Sequence, residues 1–269
     1  MIRLIALDID GTLTGDDDHG VSRRVREAIS RAQERGIEVT LATGRMFSST
    51  LPYAETVGID APLICYQGGW IQAPGGEVLY RIPLDGDLAR SALAVGRERG
   101  WHTVLYADGQ LFLRRMVHPR DFYERLLGLN PIVTPSLRRV FNAHTADKVL
   151  YVADPDQIPE MARALTQRFG ETTEVVQSHA RFVELVPREV NKGRALAWLA
   201  DHLHVAQAEV MAIGDQQNDV SMLRWAGIGV AMGNAVEAAK AAADRIAPAV
   251  AEDGAAVALE RWALTGTAR

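Results

Sequence analysis

The chain has 269 residues, of which 48% are hydrophobic and 23% charged, a composition typical of a globular protein with one large or two modest domains. The net charge of −5 disfavours a nucleic-acid backbone as partner, and the single cysteine, Cys65, excludes an internal disulfide. Because no apolar run is long enough to span a bilayer and no cleavage-site pattern opens the chain, we expect a cytoplasmic protein without a membrane or nucleic-acid partner.

The first predicted element is a strand at residues 5–7, within an unbroken apolar run that starts at Leu4 and is of the kind that parallel sheets bury on both faces. Asp8 and Asp10 follow it directly, and Gly11 and Thr12 continue into a turn. In extended backbone, residues two apart point to the same side, so the two carboxylates repel unless a cation or a shared proton lies between them. The pair predicts a hard-metal or acid–base site, the alternative being a solvated strand end.

The next segments alternate between predicted helices and strands, and each strand ends in polar or glycine residues. Thr43, Gly44 and Arg45 follow one strand, and the pair Gln67-Gly68 follows the next. This alternation is typical of a doubly wound, mostly parallel sheet. A loop is predicted at 16–20, followed by a helix that Ser22 caps and Gly36 ends, with Val25, Ala28, Ile29 and Ala32 at helical spacing. A second helix is predicted at 47–56, and strands are predicted at 37–41 and 63–66.

The pattern changes after residue 69, where a hairpin with a glycine-rich turn is predicted over 70–80. Helices then mix with short strands, and the Asp108-Gly109 turn predicts an antiparallel pair. We therefore predict an inserted α+β cap domain at 83–186, with residues 1–82 and 187–269 forming the core. Its predicted helices are 88–99, 120–127 and 158–169, and its strands are 103–106, 111–113, 148–152, 174–177 and 182–185.

The α/β alternation resumes at residues 191–193, which include Lys192, and a helix is predicted from Arg194 to about His204. A strand at 210–213 then ends in a polar cluster that contains Asp215, Asn218 and Asp219. Another strand at 228–230, a helix that Gly233 and Asn234 cap and that runs to Ala243, and a helical tail at 254–264 complete the core.

The carboxyl ends of parallel strands meet in one crevice, so Asp8, Asp10 and Asp215 are expected to lie close together. Three carboxylates around one point suit Mg²⁺, which prefers oxygen ligands. Phosphoryl transfer is catalysed mainly by positioning and charge neutralisation, and therefore also needs hydrogen-bond donors. The expected donors are Thr43, Lys192, Asn218 and the backbone N–H groups of residues 9–12.

Residues 8–12, 43–45, 192–193 and 214–219 together resemble the four ordered motifs of the haloacid dehalogenase superfamily of phosphohydrolases. The long insertion between the second and third motifs resembles the Cof-type branch of that superfamily. The resemblance covers essentially the whole chain and implies an α/β core with an α/β cap.

The resemblance also implies roles for the site residues. Asp8 would be the nucleophile that forms an aspartyl-phosphate, and Asp10 the general acid and base. The Asp8 and Asp215 carboxylates and the Asp10 backbone carbonyl would hold Mg²⁺, while Asp219 and Asn218 would orient their neighbours. The phosphate- and substrate-binding set would comprise Gly11, Thr12, Thr43, Gly44, Arg45, Lys192 and Asn218.

The function expected on these grounds is Mg²⁺-dependent hydrolysis of a small phosphorylated metabolite, a sugar phosphate or a phosphorylated cofactor. A phosphomutase or phosphotransferase stays open, since Thr14 stands where a leucine is commoner and makes the first motif similar to that of phosphomannomutases. A non-catalytic protein that binds phosphometabolites is the third alternative. Many relatives carry Asn-Gly where this chain has Gln67-Gly68. Nothing in the pattern indicates an oligomeric state.

Overall fold

The computed structural model describes residues 1–15, 20–127 and 130–265, so the predicted loop at 16–20 lies outside the described residues except for Gly20. The chain divides into two compact units. The first unit contains residues 1–44, 50–79 and 191–269, and the second unit contains residues 45–49 and 80–190. The predicted boundaries after residues 82 and 186 stay a prediction, since compactness alone does not define an independently folding domain.

The secondary structure alternates as expected from the sequence. In chain order, the strands are β1 (Leu4–Leu7), β2 (Glu38–Leu41), β3 (Leu63–Cys65), β4 (Trp70–Gln72), β5 (Val78–Arg81), β6 (His102–Ala107), β7 (Gln110–Leu113), β8 (Ile132–Val133), β9 (Ala146–Val152), β10 (Thr173–His179), β11 (Phe182–Pro187), β12 (Val210–Gly214), β13 (Ile228–Ala231) and β14 (Arg245–Ile246). The α-helices are α1 (Arg23–Gln33), α2 (Phe47–Val57), α3 (Gly86–Glu98), α4 (Arg120–Leu127), α5 (Ile158–Phe169), α6 (Lys192–His202), α7 (Val220–Trp225), α8 (Glu237–Ala242) and α9 (Gly254–Ala258).

The main sheet of the first unit has the strand order β14-β13-β12-β1-β2, and all its pairs are parallel. Strand β1 lies between β12 and β2, with Leu4 opposite Val210 on one side and Glu38 on the other. All four residues of β1 are fully buried, as the apolar run predicted. This sheet confirms the doubly wound, mostly parallel fold and places the carboxyl ends of β1, β2 and β12 next to one another.

A local sequence signal sets the start of α1, whereas the start of α8 departs from the signal in its sequence. Helix α1 begins after Ser22, whose side chain accepts a hydrogen bond from the N–H of Val25, and its buried residues keep the predicted helical spacing. The predicted cap of α8 at Gly233 and Asn234 is wrong: α8 begins only at Glu237, and the Asn234 side chain instead bonds to the backbone of Gly11 and Val250.

The second unit contains a six-stranded sheet of order β10-β11-β9-β6-β7-β8. Its pairs are antiparallel except for the short β7–β8 pair, and the Asp108-Gly109 turn joins β6 to β7 as predicted. Helices α3 and α5 contribute to the apolar core that covers one face of this sheet. The α+β character predicted for the inserted segment is therefore confirmed. Strand β8 was missed, since two residues carry no periodicity.

Among the described helices, none has the length and apolar character needed to cross a bilayer.

Candidate active site

Three buried carboxylates meet at the carboxyl edge of the main sheet. Asp8 follows β1 and Asp215 follows the adjacent strand β12, and the two residues are 4% and 1% exposed. Each of Asp8, Asp215 and Asp219 offers one oxygen atom within 4.8 Å of the others. The convergence of Asp8 and Asp215 follows directly from the parallel pairing of their strands.

Lys192 supplies the positive charge between two of these acids. It is the first residue of α6 and is fully buried, with its Nζ 2.8 Å from Asp8 Oδ1 and 2.5 Å from Asp219 Oδ1. A cation at a helix N-terminus is disfavoured by the helix dipole, so the two carboxylates are what stabilise the ammonium there. The side chain of Asn191 caps the same helix by accepting from the N–H of Arg194.

Burial and charge shift the pKa values of this cluster. Burial raises the pKa of Asp8 well above its usual range, against the opposing effect of Lys192, and burial raises the pKa of Asp215 to about 7. Burial alone would lower the pKa of Lys192, but Asp219 and Asp8 raise it above its ordinary value. One ammonium thus balances a cluster of three acids, and a divalent cation beside them would favour the ionised forms of Asp8 and Asp215.

Asp215 is held by its neighbours on both oxygens. The hydroxyl of Thr12 donates to Oδ1 and the side-chain amide of Gln216 donates to Oδ2, each at 3.0 Å. Gly11, with φ +84°, lies so close that a Cβ added there would stand 2.7 Å from Asp215 Cγ. Gly11 is therefore required for space as well as for backbone conformation.

The turn after Asp8 uses its own N–H groups internally. The N–H of Gly11 donates to Thr14 O at 2.8 Å, and the N–H of Thr12 donates to Ile9 O at 3.3 Å. The phosphate contacts expected of Gly11 and Thr12 therefore stay a prediction. In the structure, both residues position the Asp215 carboxylate: Thr12 donates a hydrogen bond to it, and Gly11 leaves space for it.

Asp219 behaves as an orienting residue. Its Oδ1 accepts from Lys192, and its Oδ2 accepts from the N–H groups of Asp215 and Gln216, both at 2.8 Å. With both oxygens engaged, Asp219 is poorly placed to bind a metal ion as well, although it lies within the acidic cluster.

The remaining predicted residues lie in different environments. Asp10 is exposed, and its charge contributes to the raised pKa of Asp8. Thr43 is buried and does not cap a helix, since α2 begins only at Phe47. Gly44 is the last residue of the segment 1–44 of the first unit. Arg45 groups with the second unit, where burial raises the pKa of Tyr106 and the Arg45 guanidinium partly opposes that rise.

Three polar residues near the site received no role in it from the sequence: Gln67, Gln216 and Asn234, the last of which was predicted only as a helix cap. Gln67 Oε1 accepts from Asn218 Nδ2 at 2.8 Å, so one N–H of that amide is engaged by Gln67, and the phosphate contact expected of Asn218 stays a prediction. Asn234 Nδ2 donates to Gly11 O, also at 2.8 Å. All three residues follow a strand closely, and the rule that strand ends carry the site would have identified them.

Comparisons with known proteins identify the family. A haloacid dehalogenase-like hydrolase family model matches residues 5–259, and the chain belongs to this family. An HMP-PP phosphatase of Cronobacter sakazakii is 32% identical over 246 residues, which cover 88% of this chain and 86% of that protein. The predicted family and the predicted class of enzyme, a phosphoric monoester hydrolase, are thereby confirmed.

Solved structures agree with this assignment. A haloacid dehalogenase-like hydrolase from Bacteroides thetaiotaomicron has a TM-score of 0.85 at 32% identity, covering 97% of this chain and 99% of that chain. A haloacid dehalogenase-like hydrolase from B. subtilis has a TM-score of 0.86 at 27% identity, covering 97% of this chain and 100% of that chain. The fold is thus shared along nearly the full length of these proteins.

Proposed function

We propose that this protein is a Mg²⁺-dependent phosphatase that hydrolyses small phosphorylated metabolites, sugar phosphates or phosphorylated cofactors, through an aspartyl-phosphate on Asp8. The observation that carries the proposal is the buried Asp8 carboxylate, fixed by Lys192 at 2.8 Å beside Asp215 at the carboxyl edge of a parallel sheet. One relative is named HMP-PP phosphatase, and this name supports a small phosphorylated substrate for the present protein.

The donor set fits a hard divalent cation. The carboxylates of Asp8 and Asp215, together with the backbone carbonyl of Asp10, would hold Mg²⁺, which takes oxygen ligands. Both carboxylates have pKa values raised by burial, so the cluster holds more acidic groups than Lys192 alone can neutralise. When bound, Mg²⁺ supplies the positive charge that lets an anionic carboxylate approach an anionic phosphoryl group.

The chemistry of the chain itself has two steps. The free carboxylate oxygen of Asp8 forms a bond to phosphorus while the bond to the leaving-group oxygen breaks, and Asp10 gives its proton to that oxygen. Water then attacks the phosphorus, Asp10 takes the proton of the water, and the bond from phosphorus to Asp8 breaks. Thr43 and Lys192 would bind the phosphoryl oxygens throughout. Asp10 suits proton transfer because it is exposed yet close enough to influence Asp8.

The test is hydrolysis of a chromogenic aryl phosphate by the purified protein. We expect release of inorganic phosphate with Mg²⁺, loss of activity on chelation, and recovery when Mg²⁺ is restored. Asp8→Asn should abolish turnover, whereas Asp60→Asn, at an exposed aspartate, should leave it unchanged. Full activity of the Asp8→Asn variant would refute the assignment of Asp8 as the nucleophile. Transfer of the phosphoryl group to an added sugar, without release of inorganic phosphate, would instead indicate a phosphotransferase.

A further inference from the structure

The residues that follow β3 adopt an unusual backbone. Tyr66 has φ 51°, Gln67 has φ 61° and ψ 16°, and Gly68 has φ +99°. Left-handed backbone is disfavoured for residues with a Cβ, and here two such residues adopt it in succession. Strain of this kind persists only where surrounding contacts enforce it, and it concentrates at functional sites. The predicted end of β3 at Tyr66 is wrong for the same reason: the strand stops at Cys65.

This backbone places the Gln67 side chain between motifs that are far apart in sequence. The N–H of Gln67 donates to Thr43 O at 3.1 Å, and its carboxamide lies over Gly44, where an added Cβ would stand 2.9 Å from Gln67 Cδ. Gly68 packs equally closely, since a Cβ there would be 2.5 Å from Asn191 O. Gln67 is 2% exposed, so its side chain is tightly packed at the edge of the site.

The carboxamide of Gln67 fixes the orientation of Asn218. Asn218 Nδ2 donates to Gln67 Oε1 at 2.8 Å, which leaves Asn218 Oδ1 pointing elsewhere. That oxygen is shielded from solvent and has no hydrogen-bond partner within the described part of the chain. A buried acceptor without a donor is costly, so it is expected to receive a hydrogen bond from a ligand or a water molecule.

Because Asn218 Oδ1 is a hydrogen-bond acceptor, the ligand group that binds it must be a donor. A fully ionised phosphoryl group offers only acceptor oxygens, and a second acceptor beside it repels it. The amide oxygen of Asn218 therefore suits an O–H donor: the hydrolytic water or a hydroxyl of the leaving group. Were Asn218 turned by half a rotation, its NH₂ would instead face the ligand. The bond to Gln67 selects between these two orientations.

We propose that Gln67 is a positioning residue that acts through Asn218, holding Asn218 Oδ1 as a fixed acceptor for an O–H group at the phosphoryl site. The inference rests on the proposed function. The alternative is that Gln67 merely fills the space above Gly44, with no effect transmitted through Asn218.

A double-mutant cycle separates the two explanations, because residues that act in series do not have multiplicative effects. The variants are Gln67→Met, which keeps the side-chain length but loses the acceptor, Asn218→Leu, and the double variant. Gln167→Met, at an exposed position of α5, is the matched control. Chemical unfolding of each variant verifies that it is folded.

Each single variant is expected to lower kcat about tenfold, the loss of one hydrogen bond made in the transition state, with little change in KM. The double variant is expected to be no slower than Asn218→Leu, and the Gln167→Met control should match the wild type. Multiplied effects in the double variant, or an unchanged kcat in Gln67→Met, would overturn the proposal.

Two substrates identify the O–H donor. p-Nitrophenyl phosphate has no hydroxyl on its leaving group, whereas glycerol 1-phosphate has two. Equal losses on both substrates indicate the hydrolytic water, and a loss confined to glycerol 1-phosphate indicates the leaving-group hydroxyl. No loss on either substrate refutes the acceptor role. A wild-type protein that hydrolyses neither substrate defeats the proposed function and this inference together, while an active wild type with multiplied effects defeats the inference alone.

Discussion

Gly11→Ala tests how tightly the nucleophile turn is fitted to Asp215. The substitution adds a Cβ at a residue with φ +84°, 2.7 Å from Asp215 Cγ. The backbone strain costs about 1–2 kcal/mol. The clash forces the Asp215 carboxylate away from its 3.0 Å hydrogen bonds with Thr12 and Gln216, which costs about 1.5–3 kcal/mol more for a charged acceptor. We expect a total loss of about 2.5–5 kcal/mol in the free energy of unfolding.

Gly36→Ala is the matched control, because Gly36 has φ +75° and open space where the Cβ would be added. It should cost about 1–2 kcal/mol, the backbone strain alone. Urea unfolding of both variants measures the difference, and titration of activity with Mg²⁺ should show weaker activation in Gly11→Ala, since Asp215 is a proposed ligand. Adding Asp215→Ala to Gly11→Ala should recover part of the lost stability. If Gly11→Ala were no less stable than Gly36→Ala, the close packing of Asp215 on this turn would be refuted.

Three further changes test separate parts of the structure. Burial raises the pKa of Asp147 to about 6, so between about pH 4 and 6 the folded protein holds a proton that the unfolded chain has lost. Stability should therefore fall as pH rises through this window, by up to about 3 kcal/mol, and Asp147→Asn should remove that dependence in urea unfolding. A pH dependence in Asp147→Asn equal to that of the wild type would contradict the assignment. Tyr123→Phe removes the oxygen that accepts from Val117 and His118 N–H and bonds to His102 Nε2 at 2.8 Å, so thermal unfolding should show a loss of about 1–3 kcal/mol; an unchanged Tm would refute this. Asn234→Ala breaks the 2.8 Å bonds to Gly11 O and Val250 N and should cost about 1–2 kcal/mol and lower kcat; a variant with wild-type stability and kcat would show that Asn234 does not hold the turn.

The fold was largely predictable because its signals are local. The apolar run of β1 predicted a strand buried on both faces, and Ser22 together with the spacing of Val25 and Ile29 predicted α1. The errors occur where distant contacts override local preference. Asn234 bonds to Gly11 and Val250 instead of capping a helix at Gly233.

The site was predictable as far as strand ends determine it. Asp8 and Asp215 follow adjacent parallel strands, so their meeting follows from topology once the sheet is predicted. The sequence does not encode how individual polar atoms pair. That Asn218 Nδ2 donates to Gln67, and that both oxygens of Asp219 are engaged, depends on distances of a few tenths of an ångström set by the whole fold.

The most direct test of the central claim is to locate the phosphoryl group during turnover. Wild-type protein mixed with substrate and Mg²⁺ is quenched in acid, digested and examined by mass spectrometry. The phosphoryl group should be found on the peptide that contains Asp8 and should be absent from Asp8→Asn. Turnover with the phosphoryl group on another residue, or with no phosphorylated protein while Asp8→Asn stays active, would contradict the proposed mechanism.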